Sequence, residues 1–409
     1  MKSIIVIGGG ASGLVSAIYA TQSGYKVTIL EKNTNPGKKI LITGNGKCNY
    51  WNEDILIEKY NTSNKEILQK IINKNNQKEI LSLFDRIGII PKIRDKYYYP
   101  YSGQATSIQT SLIKECNVNN IEIITNCEVT DIEKENNKFT IITSRGNFTS
   151  QKLILSTGSF ACPKTGSTGD GYQFAKKLGH TIIKPLPALV QLKANEAYLK
   201  EWHGIRSDVC VTLYENNKEI KKEIGEIQLT NYGVSGICIL NLSSNISRGL
   251  YNRKKEQIQI NFLHPFKITT EKEFFKFMEE RNKKVKNRTI SDLLDGLLNY
   301  KLINIILKIS KIEREDTWDN ISKSKKQTLA NNLTKFTLDI IGTNSFDASQ
   351  TCTGGIPLSE INPNTLESLK TKNFYITGEL LDVDGICGGY NLSFAWITGM
   401  LAGKAVSND

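Results

Sequence analysis

Three glycines near the start of the chain, Gly8, Gly10 and Gly13, have the spacing of a dinucleotide-binding turn. A short apolar run precedes them, a helical pattern follows, and the next apolar run ends at Glu31. In such a unit, Gly8 allows the tight turn, Gly10 lets the backbone approach a diphosphate, and Gly13 lets the helix pack close to the sheet. The pattern predicts that this stretch binds a dinucleotide.

The same unit predicts which groups contact the nucleotide. The N–H groups of the first helical turn, where Ala11 and Ser12 lie, and the positive end of the helix dipole would hold the diphosphate. Glu31 is placed to accept hydrogen bonds from a ribose 2′-hydroxyl, which favours an unphosphorylated ribose such as that of FAD or NAD. From this unit alone, both cofactors remain open.

Later elements favour FAD. Between residues 121 and 155 the pattern predicts short β-strands with turns at Asn136 and Asn137 and at Arg145 and Gly146. An inserted β-meander of this kind is what FAD-binding Rossmann domains add to the simple fold. The strand that re-enters the parallel sheet ends at Thr157 and Gly158, where a glycine again permits close approach to the nucleotide.

The C-terminal segment returns to the first domain. A buried strand at 374–377 is followed by Gly378 and Glu379, and an acid at this place suits the ribityl hydroxyls of a flavin. Gly388 and Gly389 then open an apolar helix whose positive end would face the flavin pyrimidine carbonyl and stabilise the anionic reduced ring. A plain NAD dehydrogenase does not need this return, so the sequence predicts FAD.

Two loops have more than one interpretation. Residues 43–49 combine glycines with basic residues, and Lys47 could reach a phosphate or a reduced flavin, although the segment could equally be a surface loop. Residues 97–103 contain the densest group of tyrosines in the chain. These tyrosines either line an apolar substrate pocket or form half-buried packing, and the sequence favours neither.

The predicted fold class is α/β, with a Rossmann-like FAD-binding domain that contains a β-meander and is interrupted by a β-barrel-like plus helical insert. Residues 65–88 read as helical with a break near Asn75 and Asn76. Strands are expected at 208–214, 224–230 and 257–263, and helical periodicity from 270 to 340. The predicted segments are 1–188 (FAD-binding, first part), 189–268 (β-rich insert), 269–342 (helical insert) and 343–409 (FAD-binding, return).

The chain is basic, with 53 Lys and Arg against 41 Asp and Glu and a net charge of +12. Residues 246–340 carry 20 of these cations against 12 acids, which is most of the excess. The cations are dispersed among acids and are not interleaved with aromatic residues as a base-stacking surface requires. A solvated surface is therefore preferred to a nucleic-acid site, and a small molecule is the expected partner.

The eight cysteines are scattered, without a C-x-x-C pair or a Cys/His cluster. This spacing argues against a metal site and favours reduced thiols in the cytoplasm. No apolar run approaches the roughly 20 residues that span a bilayer, so no membrane association is expected. The N-terminal residues already belong to the nucleotide-binding unit, which argues against a signal peptide.

Over nearly its whole length the chain resembles the aminoacetone oxidase-like, NAD(P)/FAD-dependent oxidoreductase family, which has a glutathione-reductase-like FAD domain interrupted by an insert. The matching blocks are residues 8–13, 31–32, 36–37, 43–49, 100, 102–103, 165–172, 233–236, 353–356, 378–379, 382–385 and 388–391. The chain departs from the family pattern at Lys47, at residues 96–100, at 229–231, at Ile237 and at Cys162. These departures lie mostly in segments expected near a substrate, so the resemblance implies the cofactor and not the substrate.

The motifs and the resemblance together give one set of predicted cofactor contacts. The set is Gly8, Gly10, Ala11, Ser12, Gly13, Glu31, Lys32, Gly44, Gly46, Lys47, Cys48, Asn49, Val129, Thr157, Gly158, Gly378, Glu379, Asp384, Gly388, Gly389, Tyr390 and Asn391. No residue stands out as a catalytic acid or base, and Tyr99, Tyr390 and Lys47 are the candidates. His203 is the histidine expected nearest to a cavity, with a structural role preferred.

The resemblance implies an enzyme that moves a hydride between flavin N5 and a C=C or C–N bond of a small organic substrate. NADH, NADPH or dioxygen would close the cycle, and the direction and substrate stay open. The alternative is an FAD-dependent RNA-modifying protein that uses the basic insert. That alternative predicts RNA binding that weakens steeply with salt.

Overall fold

The computed structural model describes residues 3–21, 24–285 and 287–407, so the outermost residues of predicted segments 1–188 and 343–409 lie outside the described residues. The β-strands in this part of the chain, β1 to β21, are Ser3–Ile7, Lys26–Leu30, Trp51–Asn52, Tyr60–Asn61, Pro91–Arg94, Tyr97–Pro100, Glu122–Ile124, Val129–Glu135, Lys138–Thr143, Gly146–Ser150, Lys152–Leu155, Ile183–Ala188, Leu192–Ala194, Arg206–Glu215, Lys218–Thr230, Gly233–Ser235, Glu256–Asn261, Phe336–Thr343, Thr351–Gly355, Phe374–Ile376 and Asp384–Gly385. The α-helices, α1 to α11, are Ala11–Ala20, Lys65–Ile71, Lys74–Arg86, Ala105–Val118, Asp170–Lys177, Ile237–Tyr251, Glu271–Lys284, Ile290–Leu294, Tyr300–Ile309, Lys323–Thr334 and Tyr390–Ser407.

The chain divides into two compact units, Met1–Ala188 with Phe346–Asp409, and Leu189–Ser345. The first unit is built on a parallel sheet with strand order β20-β11-β1-β2-β7. Its central strands are continuous apolar runs and are buried, as expected for a parallel sheet covered on both faces. The predicted Rossmann-like α/β domain is confirmed.

The predicted β-meander is also confirmed. Strands β8, β9 and β10 form a separate antiparallel sheet, and in chain order they lie between β7 and β11 of the parallel sheet. Asn136 and Asn137 connect β8 to β9 with φ values of 46° and 62°, the left-handed pair that a tight hairpin turn uses. The first strand predicted in this stretch gives β7, which joins the parallel sheet beside β2.

The first and last helices of the unit lie in close contact. Ser12 and Ser16 lie one turn apart on α1, and Gly399 and Gly403 lie one turn apart on α11. A Cβ on either glycine would come within 2.4 Å of a serine carbonyl oxygen of α1. The C-terminal return therefore packs backbone against backbone on the helix that begins at the nucleotide-binding turn.

The helix predicted over 65–88 is broken earlier than expected. The break lies at Ile72 and Asn73, whereas Asn75 and Asn76 belong to the first turn of α3. Asn73 Oδ1 accepts hydrogen bonds from Asn75 N and Asn76 N, both 3.0 Å long. The prediction of the break near the two later asparagines was wrong because Asn73 is the residue that caps α3.

The second unit contains a closed barrel with strand order β13-β16-β15-β14-β17-β18, which confirms the predicted barrel-like insert. The β-rich segment 189–268 also includes a 15-residue helix, α6. The helical pattern expected from 270 to 340 is wrong at its end, because β18 begins at Phe336. The division of the chain into four segments stays a prediction. In the part of the chain that the structure describes, no helix is both long and apolar enough to cross a bilayer.

A buried polar network joins the end of α5 to the segment before β20. His180 Nδ1 lies 2.8 Å from Glu360 Oε2, and His180 Nε2 lies 2.7 Å from Ser368 Oγ. Thr181 Oγ1 donates to Glu360 Oε1 at 2.7 Å. Burial lowers the pKa of His180 although the carboxylate opposes the shift, so the imidazole is neutral at pH 7.

We expect His180→Leu to lower the free energy of unfolding by about 2 kcal/mol, because buried Glu360 and Ser368 lose a hydrogen-bond partner. The measurement is a urea unfolding curve at pH 7. His203→Leu is the matched control because His203 is exposed, and its effect should stay within about 0.5 kcal/mol. Equal effects of the two substitutions would contradict a stabilising role of the network.

Candidate functional site

Loops that follow four parallel strands meet at one edge of the sheet in the first unit. Strands β1, β2, β11 and β20 lead into the segments that begin at Gly8, Glu31, Ser156 and Thr377. The carboxyl ends of neighbouring parallel strands lie at the same edge, which is where such sheets bind ligands. Gly8 N also donates a hydrogen bond to Leu30 O (2.8 Å). The structure therefore brings these predicted segments together.

The amino end of α1 is open. Its N-cap, Gly10, is extended, and no side chain in the described residues caps the helix. The first-turn N–H groups of Ala11, Ser12 and Gly13 have no acceptor within the helix. A Cβ on Gly10 would have no described atom within 4 Å, so space lies beside these groups. Free N–H groups at an open helix end fit a diphosphate.

Glu31 has a fixed orientation at this edge. The side chain is buried, and Oε2 accepts a hydrogen bond from Gly9 N (2.8 Å). Oε1 accepts from N and from Nδ2 of Asn33, at 2.8 and 2.7 Å. A carboxylate has about four acceptor positions, so room for one hydroxyl donor is left. Cys127 N donates a hydrogen bond to Glu31 O (3.0 Å). The predicted contact Val129 lies two residues after Cys127 in the chain.

Lys32 is held by the Thr-Gly-Asp segment at the start of α5. Its Nζ lies 2.7 Å from Asp170 Oδ2 and donates to Thr168 Oγ1 at 2.5 Å. Thr168 Oγ1 in turn donates to Asp170 Oδ2 (2.7 Å). The predicted cofactor contact Lys32 is thus engaged in an ion pair that connects the loop after β2 to α5.

Glu379, which follows β20, is held by two side chains that the sequence prediction did not include. Lys39 Nζ lies 2.7 Å from Glu379 Oε2, and the same oxygen accepts a hydrogen bond from Ser159 Oγ (2.8 Å). Thr157 follows β11, and its Oγ1 is buried without a hydrogen-bond partner in the described residues. A Cβ on Gly171 would lie 2.1 Å from this oxygen, so protein atoms cover it and it does not face an open ligand space.

The segment before α11 is built around two glycines in left-handed conformations, Gly388 (φ 123°) and Gly389 (φ 89°). Asn52 Nδ2 donates to Gly388 O (2.9 Å), and a Cβ on Gly389 would lie 2.9 Å from Trp51 O. Strand β3 therefore lies against the amino end of α11. Only glycine fits at Gly389, because the backbone approaches so closely there.

Asp384 and Asn391 hold this segment in place. The Asn391 side chain accepts from Gly385 N (2.8 Å) and donates to Gly385 O (2.9 Å). Asp384 is buried, and its Oδ2 accepts from Asn61 Nδ2 (2.9 Å). Both residues of the predicted set thus shape the backbone that leads to Gly388.

The predicted loop at 43–49 forms a compact turn. Gly44, Gly46 and Cys48 have positive φ values, and Cys48 N donates to Thr43 O (3.0 Å). Burial raises the pKa of the Cys48 thiol to about 12, so this thiol is neutral and a poor nucleophile. Lys47 is exposed. Asn49 lies beside Gly389, since a Cβ on that glycine would be 3.0 Å from the side-chain amide of Asn49.

The two tyrosine candidates carry protons at neutral pH. Tyr390 is buried, and burial together with Tyr97 raises its pKa to about 12. Tyr99 is half-buried, and its pKa is raised by burial and by Tyr97. A neutral phenol can donate its proton, whereas only the deprotonated phenolate can act as a base. Either tyrosine can therefore serve as a proton donor.

Comparison with known proteins identifies the family. The chain matches the family described as HI0933-like protein Rossmann domain over residues 2–405. It belongs to the HI0933-like family. This family member is 36% identical to a 3-dehydro-bile acid delta(4,6)-reductase of Clostridium scindens, over 100% of this chain and 99% of that protein. It is 25% identical to the ribosomal RNA dihydrouridine synthase of Escherichia coli, over 96% of this chain and 94% of that protein.

Solved structures share the fold of the HI0933-like chain. The 3-ketosteroid-delta4-(5alpha)-dehydrogenase of Rhodococcus jostii RHA1 aligns with a TM-score of 0.51 and 11% identity, over 100% of this chain and 97% of that one. A flavocytochrome c3 fumarate reductase aligns with a TM-score of 0.51 and 13% identity, over 99% and 78%. At these identities the likeness concerns the fold alone. Family membership and the reductase relative confirm the predicted class, an FAD-dependent oxidoreductase.

Sequence reasoning missed Lys39, Asn33 and Ser159, which orient the two acids of the site. Lys39 is followed by an apolar turn and looks like an ordinary surface lysine in the sequence. Its partner Glu379 is 340 residues away, so no local pattern could connect them. The role of Asn33 could have been predicted from the sequence, because a side chain two residues after an acid can hydrogen-bond to that acid locally.

Proposed function

We propose that the chain is an FAD-dependent reductase that saturates a ring carbon–carbon double bond conjugated to a carbonyl, with NADH or NADPH as electron donor. The observation that carries this proposal is the 36% identity over the full length of the Clostridium scindens reductase. The name of that relative describes reduction at delta-4,6 double bonds, and the name of the Escherichia coli relative describes a reduced uridine ring. Two relatives with different substrates thus both act on a ring C=C bond.

Several residues of the first unit support a proposed contact with a part of FAD. The open amino end of α1 would hold the diphosphate, and the remaining acceptor position of Glu31 would take a ribose hydroxyl. Glu379, oriented by Lys39 and Ser159, would accept hydrogen bonds from the ribityl chain. The amino end of α11 would lie beside the flavin ring, with its positive dipole favouring the anionic reduced form. Bound FAD supplies hydride transfer at flavin N5.

Besides the hydride, the proposed reaction requires the delivery of one proton to the substrate. Reduction of the double bond consumes NAD(P)H and one proton, so that two hydrogens enter the substrate and NAD(P)⁺ leaves. Tyr99 Oη and Tyr390 Oη both carry a proton at neutral pH and are the groups that can deliver it. The half-buried position of Tyr99 makes it the more accessible of the two.

Anaerobic stopped-flow spectroscopy tests the proposal. We expect NADH or NADPH to bleach the visible flavin band, and a 3-oxo-4,6-diene bile acid or a simple cyclic enone to restore it. Amine oxidation, which the aminoacetone oxidase resemblance implies, predicts the opposite order, in which an amine bleaches the flavin and dioxygen restores it. A protein that follows the amine order, or that carries no flavin and cannot be reconstituted with FAD, contradicts the proposal.

RNA modification is the second candidate, supported by the ribosomal RNA dihydrouridine synthase relative and the basic insert. It predicts that the protein retains a uridine-containing RNA at low salt and that affinity falls steeply as salt rises. Restoration of the flavin band by RNA, with no response to enones, would favour this candidate over the first. A cytoplasmic location is proposed for either function, supported by eight cysteines that are all free thiols.

A further inference from the structure

One face of the small sheet formed by β3, β6 and β5 carries alternating aromatic and cationic side chains. Strand β6 supplies Tyr97 and Tyr99, and β5 supplies Lys92 and Arg94. The register places Lys92 opposite Tyr99 and Arg94 opposite Tyr97, and directly opposite residues share a face of the sheet. Tyr101 continues the row, with Lys92 Nζ 5.4 Å from the centre of its ring. We call these five residues the tyrosine face.

The fourth tyrosine of the cluster points the other way. Tyr98 packs edge-on against Tyr50, with ring centres 6.2 Å apart, on the inner side of the sheet. The tyrosine face, by contrast, is open, since 37% of Tyr97 and 66% of Tyr101 are exposed. Large exposed aromatic side chains grouped on one surface mark binding sites more often than packing. Packing, one of the two sequence interpretations, thus applies to Tyr98. A substrate surface, the other interpretation, applies to the exposed tyrosines Tyr97 and Tyr101.

The two cations of the face have no acidic partner among the residues that the structure describes. In the described residues no carboxylate lies within 4.0 Å of Lys92 or Arg94, whereas neighbouring Lys96 pairs with Asp54 at 2.5 Å. An unpaired guanidinium and ammonium beside aromatic rings are suited to bind a carboxylate or phosphate, with charge-assisted hydrogen bonds. The face therefore combines flat apolar surface with positive charge.

One end of the tyrosine face touches the segment that precedes α11. A Cβ on Gly388 would lie 2.7 Å from Tyr97 Cε1 and 3.3 Å from Tyr390 Cε2. Under the proposed function, the amino end of α11 lies beside the flavin ring. The face therefore leads from solvent to the place where the reaction is proposed to occur.

We propose that the tyrosine face is the docking surface of the substrate and that it selects a flat ring compound that carries an anionic group. This inference rests on the proposed function and names the substrate class. The ring system stacks on the tyrosines, and the anion pairs with Lys92 and Arg94. The 36% identity to a bile acid reductase favours a steroid carboxylate over a nucleotide phosphate as the compound that binds here.

Equilibrium binding to the oxidised, FAD-loaded protein, without a reductant, tests the inference. The probes are a 3-oxo-4,6-diene bile acid, its uncharged methyl ester and uridine 5′-monophosphate. We expect the bile acid to bind more tightly than the nucleotide, and the double variant Lys92→Gln with Arg94→Gln to weaken bile acid binding by about tenfold. The ester should bind about tenfold more weakly than the acid and should not respond to the double variant. Tyr99→Leu should weaken acid and ester alike.

Uridine 5′-monophosphate, which carries a phosphate on a smaller ring system, should bind more weakly than the bile acid. The matched control is Tyr251→Leu with Arg253→Gln, an exposed tyrosine and arginine of the second unit, which should leave every affinity unchanged. The inference is wrong if the bile acid does not bind at millimolar concentration, if the nucleotide binds more tightly than the bile acid, if the ester binds as well as the acid, or if the tyrosine-face variants bind like wild type.

Failure of this inference and failure of the proposed function give different results. A protein that binds an anionic ring compound through the tyrosine face but never reoxidises its flavin with an enone contradicts the proposed function alone. A protein that reduces the enone while its tyrosine-face variants bind like wild type contradicts the docking surface alone. Flavin content and far-UV circular dichroism, measured on each variant, check that the fold is retained.

Discussion

Gly10→Val is expected to raise the FAD dissociation constant by about 100-fold and to leave the fold of the FAD-free protein intact. Gly10 has φ −78°, which valine tolerates, and a Cβ there meets no described atom within 4 Å. The valine would fill the space beside the first-turn N–H groups of α1. Loss of about two hydrogen bonds to a charged group, each worth roughly 1.5 kcal/mol, gives this factor.

The neighbouring Gly13 provides the comparison that separates ligand binding from folding. A Cβ on Gly13 would lie 1.9 Å from Gly8 O, a backbone atom, so Gly13→Ala must distort the turn itself. We expect it to destabilise the FAD-free protein by about 3 kcal/mol, and Gly10→Val to change its stability by no more than about 1 kcal/mol.

FAD titration followed by flavin fluorescence and thermal unfolding of the FAD-free protein measure the two effects. FAD affinity that is unchanged in Gly10→Val would mean that the diphosphate does not bind at α1. Equal destabilisation by both substitutions would mean that Gly10 is not open as the structure has it.

The sequence predicted those features that depend on neighbouring residues. The glycine turn at 8–13, the hairpin at Asn136 and Asn137, and the buried strands of the parallel sheet each carry their signal within a few residues. The order of these elements along the chain then distinguished an FAD-binding domain from a plain NAD-binding one. Local chemistry and chain order were therefore enough for the fold class and the cofactor.

The missed features have two physical causes. Some depend on residues far apart, as in the ion pair between Lys39 and Glu379, and no short pattern contains both partners. Others have a local hydrophobic pattern, but from the sequence it was assigned to a helix and not to a strand. In β18, Phe336, Leu338 and Ile340 are buried alternately, a two-residue period that was assigned to the preceding helices.

The two-residue alternation of a β-strand separates the tyrosines of residues 97–101 into an inner and an outer group. Residues 97–101 looked like one group in the sequence, with a pocket and ordinary packing equally plausible. A strand sends alternate side chains to opposite faces, so Tyr98 packs inward while Tyr97 and Tyr99 share the outer face. The same alternation along β5 places Lys92 and Arg94 among the aromatic rings. From the sequence, such interleaved cations and aromatic residues were considered only for the basic insert.

A pair of glutamates in the barrel makes the second unit sensitive to pH. Glu256 on β17 lies directly opposite Glu215 on β14, and only 2% of Glu256 is exposed. Lys254 Nζ lies 2.8 Å from Glu215 Oε1, while no donor among the described residues hydrogen-bonds to either carboxylate oxygen of Glu256. Burial and the charge of Glu215 raise the pKa of Glu256 to about 7, against the opposing effect of Lys254.

The raised pKa has a defined consequence for stability. The pKa of Glu256 is about 4.5 in the unfolded chain and about 7 in the folded one, so the folded state binds the proton more tightly. The contribution of this proton to stability is fully present below about pH 4.5 and is lost as the pH rises through about 7. Above pH 7 the folded protein must hold a buried charge beside another carboxylate.

Glu256→Gln is therefore expected to raise the free energy of unfolding at pH 8 by about 3 kcal/mol, since each pKa unit corresponds to about 1.4 kcal/mol. At pH 5 the gain should be much smaller, because there Glu256 is already neutral in the folded protein. Urea unfolding between pH 5 and pH 8 measures the difference, with exposed Glu226→Gln of the same barrel as the control, expected to change stability little at either pH. A gain that does not depend on pH would show that packing, and not charge, limits the stability of this end of the barrel.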